Sequence, residues 1–176
     1  MEEKVIIAGF GGQGVLSLGQ FMAHAAIHDN KEVTWLPSYG PEMRGGTSNC
    51  SVVISDEQVA SPIVASPDCI IVMNKPSLLK FEEKVKSGGT IIVNSSLIDI
   101  KVKREDVKVY YVPANDLANQ AGNVKTANIV ALGAYIALSK LFSKETIENV
   151  IKEQFARKPK VIPFNIKALE MGYSSI

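Results

Sequence analysis

At 176 residues, 46% of them hydrophobic and 21% charged, the chain has a globular composition and enough length to bury a full core. A formal net charge of +1 gives no field to attract nucleic acid or an anionic membrane, which excludes both as expected partners. The most apolar stretch, residues 129–138, is well short of the about 20 residues that a membrane-spanning helix needs. Glu2 and Glu3 stand before a short apolar run that is too brief for a secretory leader. We therefore expect a soluble, cytoplasmic protein with a single domain over residues 1–176.

The chain begins with a strand, a glycine-rich loop and a helix. Lys4–Ala8 is a short apolar run rich in β-branched residues, which predicts a buried strand. Gly9–Gly14 has glycines at the G-x-G-x-x-G positions, and Val15–Ile27 has a helical pattern. Such a start is Rossmann-like: glycines let main-chain N–H groups approach a ligand, and the helix N-terminus suits a phosphate or carboxylate. The alternative is that the glycines only let the helix pack closely on the sheet.

Histidine and cysteine give little indication of a metal site. His24 and His28 are four residues apart and could share a helix face, but the sequence offers no evident third ligand. Cys50 and Cys69 lie far apart, each inside a β-like segment, which fits neither a zinc nor an iron–sulfur pattern. We interpret them as buried thiols of a reducing cytoplasm, so any redox cluster would belong to another chain.

The second predicted strand, Glu32–Leu36, ends where a dinucleotide-binding domain would place an acidic residue for the ribose. Ser38 is found near that point, which argues against a standard NAD site. A loop over residues 38–47 follows, with three glycines, a proline, Glu42 and Arg44. Loops of this composition often carry function, although the two charges could also belong to a solvated turn.

No helix separates that loop from the next strand, Ser48–Ser55, so the second and third strands are predicted to be antiparallel. Val59–Val64 is predicted as a short edge strand containing Pro62. The remaining pattern alternates strands and helices, which predicts an α/β fold with a mixed, mostly parallel sheet. The predicted strands are Cys69–Met73, Thr90–Asn94 and Val107–Val112, and the predicted helices are Lys75–Lys86 capped by Asn74, Leu117–Ala121, Ala127–Phe142 capped by Thr126, Lys144–Ala156 capped by Ser143, and Pro163–Gly172.

The residues alone predict no catalytic group. The sequence has no G-x-S-x-G elbow, no paired-carboxylate signature, and no Lys-Ser/Thr after the glycine loop as a Walker A site requires. The chain therefore has the pattern of an α/β domain that cradles a ligand, with a second polar loop and no chemistry of its own.

Three motifs together resemble the gamma subunit of 2-oxoacid:ferredoxin oxidoreductases, and one domain of the single-chain pyruvate:ferredoxin enzymes. They are Gly9–Val15 (GFGGQGV), Tyr39–Gly46 (YGPEMRGG) and Thr126–Ala134 (TANIVALGA). The resemblance covers essentially the whole chain in length and motif order. It implies a three-layer α/β/α sandwich with a mixed sheet.

The resemblance also implies an activity and its partners. Enzymes of this family oxidatively decarboxylate a 2-oxoacid with coenzyme A (CoA), giving acyl-CoA, CO₂ and reduced ferredoxin. Thiamine diphosphate, Mg²⁺ and iron–sulfur clusters reside in partner subunits, and the partners are alpha, beta and ferredoxin-like delta subunits. This chain would bind no cofactor alone and would supply no catalytic residue. Its two loops would line the approach to the thiamine site and bind CoA, a phosphate or the substrate, through Gly9, Gly11, Gly12, Gln13, Gly14, Tyr39, Glu42, Arg44, Gly45 and Gly46.

Two other classes of function stay open at this point. One is a stand-alone flavin- or NAD-dependent oxidoreductase that uses the same glycine loop, although Ser38 argues against NAD. The other is a purely structural module whose loops serve subunit contacts. The sequence does not settle the oxoacid, although the second loop resembles the 2-oxoglutarate and branched-chain enzymes slightly more than the pyruvate ones.

Overall fold

The protein is built on one six-stranded sheet with the strand order β2-β3-β1-β4-β5-β6. The computed structural model describes residues 1–39 and 47–176, without the side chain of Tyr39. The strands are β1 (Glu2–Phe10), β2 (Glu32–Tyr39), β3 (Thr47–Ser55), β4 (Cys69–Val72), β5 (Thr90–Asn94) and β6 (Lys108–Val112).

Strand β3 lies between β1 and β2 and is antiparallel to both. The pairs β1–β4, β4–β5 and β5–β6 are parallel. The prediction of a mixed, mostly parallel sheet is therefore confirmed, as is the antiparallel pairing of the second and third strands. The physical reason is chain length: the link from β2 to β3 is too short for the crossover that a parallel pair requires.

Helices cover both faces of the sheet unequally, which confirms the three-layer sandwich. Five helices pack with β1, β3 and β4 into the larger apolar core, and the sixth, α2, packs with β1, β4 and β5 into a smaller core on the opposite face. The helices are α1 (Val15–His28), α2 (Lys75–Phe81), α3 (Ala114–Gln120), α4 (Ala127–Ser139), α5 (Lys144–Gln154) and α6 (Ile162–Tyr173). In the part of the chain that the structure describes, no helix combines the length and apolarity needed to cross a membrane.

Helix α4 is buried on several sides because α6 packs on it as well as the sheet and α3. Two glycines permit this approach. A Cβ on Gly172 would lie 1.9 Å from the carbonyl oxygen of Val130, and one on Gly133 would lie 2.2 Å from that of Leu169. The backbones of α4 and α6 are therefore in contact at a distance that only glycine allows.

Several predicted element boundaries are wrong. Val59–Val64 forms no strand; the N–H of Ile63 donates to Ser61 Oγ instead of to a neighbouring strand, and Pro62 has no N–H to donate. Helix α4 ends at Ser139, because Lys140 adopts a left-handed conformation with φ 53°.

Two further helix boundaries and one cap also differ from the prediction. Helix α2 ends at Phe81 and continues as a 3₁₀ turn over Glu82–Lys84, and α3 begins at Ala114. Thr126 does not cap α4 with its side chain; its hydroxyl donates to the carbonyl oxygen of Asn123 at 2.7 Å. The caps by Asn74 and Ser143 are confirmed.

Candidate functional site

The glycine loop lies at the carboxyl edge of the sheet, where β1 and β4 are neighbours. The chain leaves β1 through α1 toward β2, and leaves β4 through α2 toward β5, on opposite faces of the sheet. The strand order therefore reverses between β1 and β4. In open α/β sheets, this reversal point is where ligands bind.

Gln13 fills the space between the ends of β1 and β4. Its Oε1 accepts a hydrogen bond from the N–H of Phe10 at 2.6 Å, and its Nε2 donates to the carbonyl oxygen of Met73 at 3.1 Å. A Cβ on Gly9 would lie 2.6 Å from Gln13 Oε1 and 3.0 Å from Met73 Cβ. Gly9 is thus required for packing around Gln13, and the loop is tied to the adjacent strand end.

A second side-chain amide, that of Asn94, links the strand ends further along the same edge of the sheet. Asn94, at the end of β5, donates through Nδ2 to the carbonyl oxygen of Met73 at 3.4 Å and to Asn115 Oδ1 at 2.8 Å. Its Oδ1 accepts from the N–H of Ala114 at 3.2 Å. The carboxyl ends of β1, β4, β5 and β6 are therefore held together by two side-chain amides.

Gly14 joins the glycine loop to α4. It has φ 74°, and its carbonyl oxygen accepts a hydrogen bond from Asn128 Nδ2 at 3.1 Å. A Cβ at Gly14 would lie 2.5 Å from that nitrogen. The first and third sequence motifs are therefore in direct contact, although they lie more than 100 residues apart. Asn128 was not predicted as a site residue, although a polar residue in the first turn of a helix that is apolar nearly all round is the signal that could have identified it.

The tip of the loop is exposed. Gly11 and Gly12 are exposed, and Gly12 has φ 89° with nothing near the position of a Cβ. Within residues 1–39 and 47–176, no acceptor takes a hydrogen bond from the amides of Gly11, Gly12 or Gly14. The first-turn amides of α1 are adjacent, and the helix has no side-chain cap and no acidic residue in its first turn. This loop can donate to an anionic group such as a phosphate or carboxylate.

The packing interpretation holds for two of the glycines, and the ligand interpretation stays a prediction for the others. Gly9 and Gly14 leave room for Gln13 and Asn128, which is a packing role. Gly11 and Gly12 present main-chain donors to solvent, which is what a ligand needs.

The second predicted loop starts from the same edge of the sheet. In the register, Phe10 is opposite Thr47, and Ser48 is opposite both Gly9 and Tyr39. The end of β2 and the start of β3 therefore lie beside the end of β1. The predicted site residues Glu42, Arg44, Gly45 and Gly46 and the side chain of Tyr39 lie outside the described residues.

The described residues contain no group of three or more His, Cys, Asp or Glu side chains that could hold a metal ion. His28 Nε2 lies 2.9 Å from Glu153 Oε2, in an exposed pair between α1 and α5. Cys50 and Cys69 are free and buried, as predicted. Burial raises the pKa of Cys50 to about 12 and that of Cys69 well above its ordinary value, so neither thiol is disposed to ionise.

The fold and this edge define an α/β domain with a Rossmann-like start, an exposed glycine loop, and a glutamine at the point where the strand order reverses. The family model "Pyruvate ferredoxin/flavodoxin oxidoreductase" matches residues 4–175, and the chain belongs to this family. The resemblance stated from the three motifs is therefore confirmed.

Curated relatives are subunits of 2-oxoacid oxidoreductases. The chain is 42% identical over 172 residues to the ketoisovalerate oxidoreductase subunit VorA of Methanothermobacter marburgensis, a match that covers 97% of this chain and 36% of that protein. It is 35% identical over 176 residues to the 2-oxoglutarate synthase subunit KorC of Methanocaldococcus jannaschii, covering 98% of this chain and 93% of that protein. The chain thus spans about a third of the first relative and nearly all of the second.

Solved structures share the fold. The gamma subunit of a keto/oxoacid ferredoxin oxidoreductase from Geobacter sulfurreducens superposes with a TM-score of 0.84 at 34% identity, covering 98% of this chain and 97% of that one. A 2-oxoglutarate:ferredoxin oxidoreductase from Magnetococcus marinus, solved with 2-oxoglutarate, coenzyme A and succinyl-CoA bound, gives 0.90 at 26% identity, covering 99% of this chain and 31% of that one. The predicted fold class is confirmed by these structures.

Proposed function

We propose that this chain is the gamma subunit of a multi-subunit 2-oxoacid:ferredoxin oxidoreductase. The enzyme would convert a 2-oxoacid and CoA to acyl-CoA and CO₂, with ferredoxin as electron acceptor. The observation that carries the proposal is the match of the family model over residues 4–175. It is supported by the shared fold with an enzyme solved with 2-oxoglutarate and coenzyme A bound.

The chain would act as one domain over residues 1–176, in the cytoplasm, with alpha, beta and ferredoxin-like delta subunits as partners. Thiamine diphosphate, Mg²⁺ and iron–sulfur clusters would be held by those subunits. The chain has two cysteines, Cys50 and Cys69, on separate strands, which supports this division because a cluster usually takes about four thiolates close together.

The proposed ligand site of this chain consists of the two loops at the carboxyl edge of the sheet. Main-chain amides of the Gly9–Gly14 loop would donate to a phosphate of CoA or a carboxylate, and Arg44 would add a guanidinium, which suits either anion. Tyr39, Glu42, Gly45 and Gly46 complete the proposed loops. This role positions a ligand for chemistry on another subunit, and no residue of this chain is assigned a catalytic step.

The first prediction concerns activity. Purified alone, the chain should form no acyl-CoA from any 2-oxoacid, because the reaction would occur on partner subunits. Co-expressed with the chains encoded beside its gene, it should be purified as a complex that forms acyl-CoA from 2-oxoisovalerate, 2-oxoglutarate or pyruvate with CoA and a ferredoxin or viologen acceptor. Activity of the isolated chain, or a reconstituted complex that works equally well without it, would contradict the proposal.

The role of the second loop can be tested in the same complex. Arg44→Ala should raise the KM for CoA or for the oxoacid by about tenfold, because one charge-assisted hydrogen bond is lost. Arg157→Ala, an exposed arginine beyond α5, is the matched control and should leave both constants unchanged. Loss of assembly with unaltered constants in the remaining complex would favour a purely structural role for the loop.

A further inference from the structure

A small cavity of about 50 Å³ lies at the amino ends of three neighbouring strands, under the C-terminal end of α4. Glu3 is near the start of β1, Cys69 begins β4 and Thr90 begins β5. These starts are adjacent, because the register places Val5 opposite Cys69 and Cys69 opposite Thr90. The other lining residues come from the last turns of α4 and are Tyr135, Leu138 and Ser139.

This cavity is at the opposite edge of the sheet from the glycine loop. Glu3 and Gly9 are six residues apart in β1, and a strand rises about 3.3 Å per residue, which separates them by about 20 Å. Glu3 faces the larger core, because side chains alternate along a strand and Val5 and Ile7 lie in that core. The cavity is therefore no part of the ligand site proposed above.

The walls of the cavity carry negative charge. Among the described residues that line it, Glu3 alone is charged. The C-terminal end of α4 adds the negative end of a helix dipole, and α4 has no basic residue in its last turn. Lys140, which follows α4, is exposed and does not line the cavity. The position therefore favours a cation over an anion.

Glu3 lacks a counter-ion of its own. Within residues 1–39 and 47–176, its half-buried carboxylate forms no ion pair and accepts no hydrogen bond. The charges that act on Glu3 are those of Asp68 and Lys86, in opposite directions. Lys86 is already paired, with its Nζ 2.7 Å from Asp68 Oδ1. A carboxylate in this environment costs free energy, which a bound cation would offset.

Tyr135 contributes a hydroxyl without a partner. Its side chain is 1% exposed and lines the cavity, and its hydroxyl has no hydrogen-bond partner among the described residues. Buried hydroxyls are seldom left unpaired, so this one indicates a bound group. Thr90 and Ser139 bring two more hydroxyls to the same cavity. Hydroxyl oxygens have free lone pairs, and together with a carboxylate they form the oxygen ligand set that hard cations prefer.

The volume and the ligand set together limit the kind of ion. Liquid water takes about 30 Å³ per molecule, so a cavity of about 50 Å³ admits a bare ion of that size with at most one water. Part of the chain that the structure describes was searched for groups of three or more His, Cys, Asp or Glu side chains that could hold a metal, and none is found there. One carboxylate among neutral hydroxyls matches a single positive charge.

We propose that this cavity binds one monovalent cation of the size of potassium, through the carboxylate of Glu3 and the hydroxyls of Thr90, Tyr135 and Ser139. The juxtaposition that carries the proposal is a carboxylate without a counter-ion, an unpartnered buried hydroxyl and the negative end of α4 around one small cavity. The bound ion stabilises the amino edge of the sheet. The proposal does not depend on the oxidoreductase function, since it concerns an ion held by the chain itself.

Potassium is the probe, and tetramethylammonium, which is too large for the cavity, keeps the ionic strength constant. The full chain is studied at pH 8, above the pKa of about 7 of Glu3. Potassium should raise the unfolding temperature saturably, by about 4 °C at ten times its Kd. Sodium, a smaller ion, should need a higher concentration for the same rise. An unfolding temperature that ignores potassium, or responds equally to sodium, would overturn the proposal, because ionic screening does not distinguish the two.

A charge-neutral variant tests the assigned carboxylate. Glu3→Gln keeps the size of the side chain and removes its charge, so it should abolish the potassium-dependent rise. Glu2→Gln is the matched control: this exposed glutamate precedes Glu3 on the opposite face of β1, and the variant should keep the full rise. A potassium response that survives in Glu3→Gln would contradict the assignment.

A second variant separates binding from folding. Tyr135→Phe removes the unpartnered hydroxyl, so in tetramethylammonium chloride it should unfold at the same or a higher temperature than the parent chain. In potassium chloride it should bind the ion about tenfold more weakly, because one ligand is lost. Tyr173→Phe, at an exposed tyrosine of α6, is the control and should respond as the parent does. Parental potassium affinity in Tyr135→Phe would contradict the proposal.

Discussion

Gly12 and Gly14 have similar backbone conformations in different surroundings. Both have positive φ, 89° and 74°, yet a Cβ at Gly12 would meet open space and one at Gly14 would overlap the Asn128 amide. The cost of a side chain at Gly12 is conformational strain alone. At Gly14 the same strain is joined by a steric clash and by disturbance of the Asn128 hydrogen bond.

We therefore predict unequal costs for one substitution at two positions. Gly12→Ala should lower the free energy of unfolding by about 1 kcal/mol, the strain of a left-handed alanine. Gly14→Ala should lower it by about 3 kcal/mol, because the clash with Asn128 adds to that strain. Urea denaturation of the two variants beside the parent chain measures both. Equal losses would show that Asn128 does not constrain Gly14.

For single residues, the sequence indicated which residue types form the glycine loop, but not which residues they contact. The G-x-G-x-x-G pattern indicated where donors would be exposed, and Gly11 and Gly12 agree. The partners of Gln13 and Gly14 are Met73 and Asn128, far along the chain, and no local pattern encodes such contacts.

Among the helices, α4 and α6 depend on each other most closely. A Cβ on Gly172 would lie 1.9 Å from the Val130 carbonyl oxygen, which is backbone and has no side-chain freedom to move aside. The two helices would have to separate to admit even a methyl group. In α6 the glycine is thus a contact residue, despite its low helix propensity.

Gly172→Ala should accordingly destabilise the protein by about 3 kcal/mol or more, in spite of the better helix propensity of alanine. Thermal unfolding followed by circular dichroism gives the loss. Lys167→Ala, on the exposed side of α6, is the control and should change stability by less than about 0.5 kcal/mol. A stabilised Gly172→Ala chain would mean that α6 can shift on α4 without cost.

Most helices and strands could be predicted, because the periodic spacing of apolar residues and the capping residues are features of a short stretch of sequence. Asn74 and Ser143 cap α2 and α5 as their positions indicated. The errors arise where neighbouring structure competes with propensity. Val59–Val64 has strand-like residues but forms local turns, and the apolar run after Ser139 is not helical because Lys140 turns the chain toward α5.

For the molecule as a whole, the stability should depend on pH through Glu3, a carboxyl group at the amino end of the sheet with a shifted pKa. Burial, with the nearby carboxylate of Asp68, raises the pKa of Glu3 to about 7, and Lys86 acts in the opposite direction. The ordinary value is 4.5. Between pH 4.5 and 7 the folded chain therefore keeps a proton that the unfolded chain has lost. Stability should fall as the pH rises through this window, and the penalty should be complete above pH 7.

Glu3→Gln should remove that dependence. The full shift would correspond to about 3 kcal/mol, and because Glu3 is partly exposed we expect a gain of about 1 kcal/mol above pH 7. Below pH 4.5 the variant and the parent should be equally stable. Urea denaturation from pH 4 to pH 8 tests this, with the exposed Glu105→Gln as control. A parallel pair of curves for Glu3→Gln and the parent would contradict a raised pKa.

The fold class and the family could be predicted from the sequence, but the arrangement of the site only in part. The order of elements indicated a mixed sheet, and the three motifs indicated the family. A cavity of about 550 Å³ between α1, α4 and α6 could not be foreseen, because its residues come from four segments whose proximity depends on how helices stack on one face.

The position of β3 between β1 and β2 has a consequence for how this protein family can diversify. The hairpin of β2 and β3 is registered along its whole length, so a residue gained or lost within either strand would turn alternate side chains to the wrong face. A residue inserted after Tyr39 and before Thr47 would leave the registered pairs of both strands as they are. The connection from β2 to β3 is thus where a change in chain length costs the sheet least.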